Sequence, residues 1–327
     1  MKRFTSIAFV LLLATPAFAQ IQGSWTTTPS GTRDDGRINI QMARRNSNTG
    51  QTMQIADLTG LTLAQINSST STPVQFQLRR EAGTVTFEGT FKQGYGAGQF
   101  SFAPNRSYEA AIRALGVRGD RNKRGDGDID DEDLLHLAIH DVSTEFIRSM
   151  KAEGYDESLD QYLAMRIFRV NPVLVREFRS IGFAKLDAED LISSQIHGAT
   201  PAFIREMRAA GFNKLDLEGF VASRIHGVTP QFAKEMAELG YKDLDFDDLT
   251  AFRIHGVTSE FVRELSTLGY RNIDSDDLVA MRIHRVTPEF IRELRDAGYT
   301  NVPVEKLVSM RIHGIDANFV KKMNGSK

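Results

Sequence analysis

The stretch RIHRVTPEFIREL, residues 282–294, recurs along the C-terminal part of the chain and decides its architecture. Close copies end their opening tripeptide in His140, His197, His226, His255, His284 and His313. From His197 onward the spacing is a constant 29 residues, and one further copy sets Phe168 at the histidine position, 28 residues after His140. A fixed period of this length marks stacked supersecondary units, each too small to bury its own apolar surface.

Each unit carries two helix signals. The first is an acidic start, Asp274-Ser275-Asp276-Asp277-Leu278 in one copy, followed by an apolar stripe through Met281 and Ile283. Asp130, Asp187, Asp216, Asp245 and Asp274 are N-cap residues, and the acids after them sit where the helix dipole favours anions. Gly198, Gly227, Gly256 and Gly314 fall where a left-handed residue ends a helix. The second helix starts at once, with caps at Ser143, Asn171, Thr200, Thr229, Thr258, Thr287 and Asp316. Pro172, Pro201, Pro230 and Pro288 follow at the first helical position. Val286 and Ile291 form a hydrophobic staple across the cap, and Val142 with Ile147 and Val257 with Val262 repeat it. Gly154, Gly182, Gly211, Gly240, Gly269 and Gly298 stop the second helix, each before a Tyr or Phe expected to pack into the next unit.

The ends need covering. Residues 108–117, YEAAIRALGV, have the spacing of a lone second helix, and residues 318–327 read as a shortened, lysine-bearing polar cap.

Upstream, the apolar period changes to two. Ile38, Ile40 and Met42 alternate with polar neighbours, as do Val74, Phe76 and Leu78, then Val85, Phe87 and Phe91, then Phe100 and Phe102. This predicts an antiparallel sheet with one wet face. Gly23-Ser24-Trp25 resembles the lipocalin opening, although the β-rich stretch is short for eight strands. Phe87-Glu88-Gly89-Thr90-Phe91 with Gly94, Gly96, Gly98 and Phe100 is similar to one MORN-type hairpin, its glycines supplying positive φ or a bulge. A cap or docking domain is the expected role.

The first residues, MKRFTSIAFVLLLATPAFAQ, have a basic start, an apolar run and an Ala17-Phe18-Ala19 cleavage pattern, which reads as a secretory signal. No later stretch has the apolar length of a membrane span. Removing Lys2 and Arg3 moves the formal charge from −2 to −4, a balance that argues against a general polyanion binder. The chain has no cysteine, so an exported form is held by its core alone. The expected fold is α+β and multidomain: a signal peptide over 1–19, a small N-terminal antiparallel β domain over 20–105, a half-repeat helix with an acidic inserted loop over 106–133, and an α-solenoid of seven two-helix repeats over 130–327.

Candidate chemistry is sparse. There is no nucleophile elbow, P-loop or strand-linked GxGxxG, so no catalytic residue is assigned and a non-enzymatic role is expected. Packed helices lie about 8–10 Å apart, whereas zinc ligands converge within about 2 Å of one ion. One histidine per repeat therefore predicts helix capping or inter-repeat hydrogen bonding, and His136 with His140, the one i, i+4 pair, lacks the metallopeptidase glutamate. Arg224, Arg253, Arg282 and Arg311, with Arg166, form a ladder that reads either as a basic groove for an anionic partner or as salt bridges to Glu177, Glu206, Glu235, Glu264, Glu293 and the acidic helix starts.

The stretch GDRNKRGDGDIDDED, residues 119–133, is an insertion relative to the other repeats and resembles the calcium loop of dockerins and EF-hands. The resemblance implies calcium on Asp120, Asn122, Asp126, Asp128 and Asp133, with two extra residues before Asp126. Counted as an uninterrupted loop from Asn122, it sets Arg124 where an oxygen ligand belongs. An acidic linker capping the first helix is the other reading.

The units IHGVTPQF (225–232), IHGVTSEF (254–261) and IHRVTPEF (283–290) resemble a repeat of exported or membrane-linked bacterial proteins, among them β-lactam-sensing receptor metallopeptidases. The resemblance implies a bacterial, periplasmic or secreted protein with a sensing or scaffold role and a protein or cell-envelope partner. The peptidase motif is missing here, so no catalytic residue carries over. Gly227-Val228-Thr229 also resembles the turn of helix-hairpin-helix DNA modules, without the second glycine. That implies an alternative role in nucleic-acid binding, beside a calcium-dependent adhesion module.

Overall fold

The computed structural model describes residues 21–29, 36–44, 47–119, 128–316 and 319. An N-terminal antiparallel sheet is followed by a helical repeat region, and the chain divides into two units between Val175 and Arg176.

In the first unit, strands β1 (Ile21–Thr27), β2 (Arg37–Arg44), β3 (Ser47–Gln54), β4 (Leu58–Thr59), β5 (Thr72–Arg80), β6 (Gly83–Lys92) and β7 (Tyr95–Pro104) form one sheet in the order β3-β2-β1-β7-β6-β5-β4. All pairings are antiparallel. The alternating residues read from the sequence, from Ile38 to Phe102, are all buried. Trp25 is fully enclosed, with ring centroids 5.4 Å from both Phe76 and Phe91. With β3 and β4 as edges, this is an open sheet rather than the closed barrel that the lipocalin-like opening implies.

The β6–β7 hairpin forms as expected, but its glycines divide the work. Gly94 takes φ +81° at the turn. Gly96 is extended, and a Cβ there would meet the Phe91 and Trp25 rings at 2.6 and 2.8 Å, so it makes room rather than a bulge.

A short α1 (Leu63–Ile66) leads into β5, and α2 (Arg106–Ala114) is the half-repeat helix, capped by Asn105. Tyr108 on α2 is buried and donates to the Val142 carbonyl at 2.5 Å. The first full repeat is α3 (Asp131–Ile139) and α4 (Thr144–Ala152); α5 (Leu159–Ile167) and α6 (Pro172–Ser180) follow. Helix α3 lies on β5, β6 and β7, burying Leu134, Leu135, Leu137 and Ala138. Arg44 pairs with Glu132, and Glu81 accepts the Thr144 amide at 2.9 Å, fixing the repeat to the sheet.

The second unit continues the pattern with α7 (Ala188–His197), α8 (Pro201–Ala209), α9 (Leu217–His226), α10 (Pro230–Glu238), α11 (Phe246–His255), α12 (Ser259–Thr267), α13 (Ser275–Ile283), α14 (Pro288–Asp296) and α15 (Val304–Ile312). First helices pack on first helices, α7 on α9, α9 on α11, α11 on α13 and α13 on α15. All seven second-helix caps bind the amides they were assigned, from Ser143 to Asp316. Asp187 and Asp245 close capping boxes with Asp190 and Asp248. Three of the aromatics after stop glycines reach forward: Phe183 packs edge-on to Phe220, Tyr241 packs edge-on to Phe252 and donates to the Ile273 carbonyl at 2.8 Å, and Tyr270 donates to the Val302 carbonyl, whereas Tyr299 is exposed.

One expectation fails. Leu278 and Met281 are fully buried, but Ile283, read as part of the same stripe, is 51 % exposed. Five residues separate Leu278 from Ile283, which turns the helix by about 140° and carries Ile283 off the packed face. The expected cap over 318–327 lies outside the described residues except for Phe319.

Candidate functional site

The joint between repeats explains where its conspicuous residues go. In Ile-His-Gly, the glycine ends the helix with φ of +72° at Gly198, +71° at Gly227 and +72° at Gly256. Asp141, Arg169 and Arg285 hold the same left-handed geometry without glycine. The arginine turns back onto the preceding repeat. Arg224, Arg253 and Arg282 lie 4.9 Å over Phe203, Phe232 and Phe261, and Arg311 lies 5.1 Å over Phe290. Arg224 Nε also donates to the His197 carbonyl at 3.3 Å. Arg166 repeats this in the first unit, over Phe146 at 5.1 Å, with Nε on the His140 carbonyl at 3.2 Å and a Nη2 contact to Asp141 at 3.0 Å.

These arginines are therefore braces between repeats, held on aromatic faces. Among the described residues, none of Arg224, Arg253, Arg282 and Arg311 forms an ion pair, so the salt-bridge reading holds only for Arg166. At Gly227 the glycine supplies both its φ and space, since a Cβ there would stand 2.9 Å from Arg253 Nη2, whereas Asp141 and Arg285 carry a Cβ at this position with Arg166 and Arg311 each 5.1 Å over its ring.

The histidines do not converge. Among the described residues, no three His, Cys, Asp or Glu side chains are grouped so as to hold a metal. The inter-repeat hydrogen bond runs through the histidine carbonyl, and the ring of His313 instead contacts the Ser309 carbonyl at 2.8 Å. His140 differs: burial, then the neighbouring His136 and Arg166, lower its pKa to about 4. It lines a cleft of about 470 Å³ in the first unit with Asp57, Arg80, Asp141, Arg166 and Arg169. There Arg80 bridges Asp57 at 2.7 Å and Asp141 at 3.3 Å, so the cleft's acids and bases largely satisfy each other.

Of the calcium residues, Asp120, Asn122 and Asp126 lie outside the described residues. Asp128 pairs with Arg113 at 3.1 Å, and Asp133 closes the capping box with Asp130, which is the helix-capping role. The turn that resembles a helix-hairpin-helix uses its amides internally. Gly227 N donates to the Arg224 carbonyl, Val228 N to Ser223 and Phe232 N to the Thr229 hydroxyl.

What remains outward is the isoleucine. Ile196, Ile225, Ile254, Ile283 and Ile312 in the second unit are 51–57 % exposed, a row of large aliphatic side chains on the first helices. Ile167 in the first unit is 44 % exposed. The same repeat position in the first repeat, Ile139, is 7 % exposed. There the sheet covers it: Met42, Thr49 and Phe100 share one small void with Leu135, His136 and Ile139.

Comparison with family models and with curated proteins found no match. No helix of the described residues is long and apolar enough to cross a membrane.

Proposed function

We propose that this is a non-enzymatic, exported bacterial scaffold or sensing protein that binds a protein or envelope partner through its first-helix face. The exposed isoleucine row carries this reading. Single exposed aliphatic residues are ordinary, but the same residue exposed at successive repeats makes an aliphatic row on one set of helices, and recurring exposed apolar surface marks interaction sites. The first repeat supplies the internal comparison, since its isoleucine already serves as a contact surface for the sheet. The signal-like N-terminus supports export, and the arginines, committed to bracing, support an apolar rather than a purely ionic grip.

A photo-crosslinking residue at Ile254, installed in the full chain in its own envelope, tests the reading. A discrete protein adduct at this position, absent when the same residue replaces the exposed Lys242, is the expected result. Equal or no adduct at the two positions refutes it.

A further inference from the structure

We infer that the first-helix face of the second unit pairs with the same face of a second copy of this chain, the two sets of helices antiparallel. This rests on the reading of that face as an interaction surface and names its occupant.

The face is banded. Glu218, Asp247, Asp276 and Glu305 are exposed in the first turns of α9, α11, α13 and α15. Seven residues on, about 10 Å along each helix, stand Ile225, Ile254, Ile283 and Ile312. Each is flanked on one side by an arginine that forms no ion pair among the described residues and on the other by a histidine. One acidic edge and one basic edge therefore run across four successive rungs with an aliphatic row beside the basic edge.

A polyanion or a polycation would meet like charge along one edge. A second copy related by a two-fold axis meets none: reversal of direction sets each acidic edge against the other copy's arginines and histidines. Such a contact uses the same patch on both partners, so it closes at two copies rather than growing into a filament.

The size is adequate. Helices of nine or ten residues are about 14–15 Å long, and four side by side at about 9 Å present roughly 500 Å² per copy, about 1,000 Å² in total, the size at which a specific interface begins.

Sedimentation of the signal-free chain from about 1 to 100 µM tests this, alongside the Ile254→Asp/Ile283→Asp variant. Both substitutions fall at exposed positions, so an unchanged circular dichroism spectrum certifies the fold. The expected result is a dimer that weakens as salt screens the paired edges and whose Kd rises by about 100-fold in the double variant. Ile254→Cys, placed in a chain with no native cysteine, should further give a copy-to-copy adduct with a short thiol crosslinker. A monomer throughout that range, or a dimer indifferent to the double substitution, overturns the inference. If the chain is monomeric while the crosslinker at Ile254 still traps another protein, the pairing fails and the proposed function stands.

Discussion

The brace between repeats can be tested through its tightest contact, Gly227 beneath Arg253. Replacing Gly227 by Ala imposes a β-carbon on a residue at φ +71°, which costs about 1–2 kcal/mol in the left-handed region. The new carbon stands 2.9 Å from Arg253 Nη2 and pushes the guanidinium off the Phe232 ring, a loss of about 0.5–1 kcal/mol. Together Gly227→Ala should cost about 2–3 kcal/mol. Arg253→Met keeps the aliphatic stem but removes the cation, so in that background only the φ cost remains. The double variant should then be more stable than the sum of the singles by about 0.5–1 kcal/mol. Gly314→Ala serves as the reference for the φ cost alone, since Gly314 has φ +67° and its Cβ would have no neighbour within 4 Å among the described residues. Urea titration followed by far-UV circular dichroism measures the cycle, and amide exchange across Leu217–Glu238 localises the effect. Additivity of the two substitutions within about 0.3 kcal/mol would refute the claim that the glycine is there for the arginine.

His140 should make stability depend on pH. Its folded-state pKa is about 4 against 6.5 for the free side chain, so the unfolded chain takes up the proton first and stability falls as pH drops from about 6.5 to 4. With part of the ring open to solvent, the loss should be about 1–2 kcal/mol, and His140→Phe, which copies the native Phe168, should flatten it in thermal melts across that range. Asp141→Asn removes the carboxylate shared by Arg80 at 3.3 Å and Arg166 at 3.0 Å; about 1 kcal/mol of unfolding free energy should be lost, with the loss suppressed at high salt. Tyr270→Phe deletes the hydroxyl that donates to the Val302 carbonyl at 2.7 Å and should cost about 1 kcal/mol in urea titration, with the helical signal retained.

The joints were legible in the sequence because their chemistry is local. A cap, a proline, a staple and a stop glycine are each decided within a few residues, and the seven second-helix caps form as the residue types dictate. The sheet's alternation was legible for the same reason, whereas the open strand order and the room that Gly96 leaves for Trp25 depend on pairings across the sheet. The arginine ladder was visible, but its purpose was not, since the His197 carbonyl is 27 residues before Arg224. The isoleucine face was missed by grouping Ile283 with Met281 instead of following the helical angle from Leu278. That signal was present, because a residue five positions from a buried one faces elsewhere. The cover over Ile139 was beyond sequence reasoning, as it comes from strands far upstream.

The brace has a consequence for how the chain changes length. One link between a repeat and its predecessor, an arginine lying over the preceding phenylalanine, is built alike from Arg224 to Arg311. Excising residues 228–256 would join Gly227 to Val257, reproduce the same Gly-Val-Thr joint, and leave Arg282 over Phe261. Gain or loss of whole 29-residue cassettes by unequal recombination is thus structurally silent at the seams. The number of isoleucine rungs can drift during evolution independently of how each rung is made, tuning reach while the joint stays fixed.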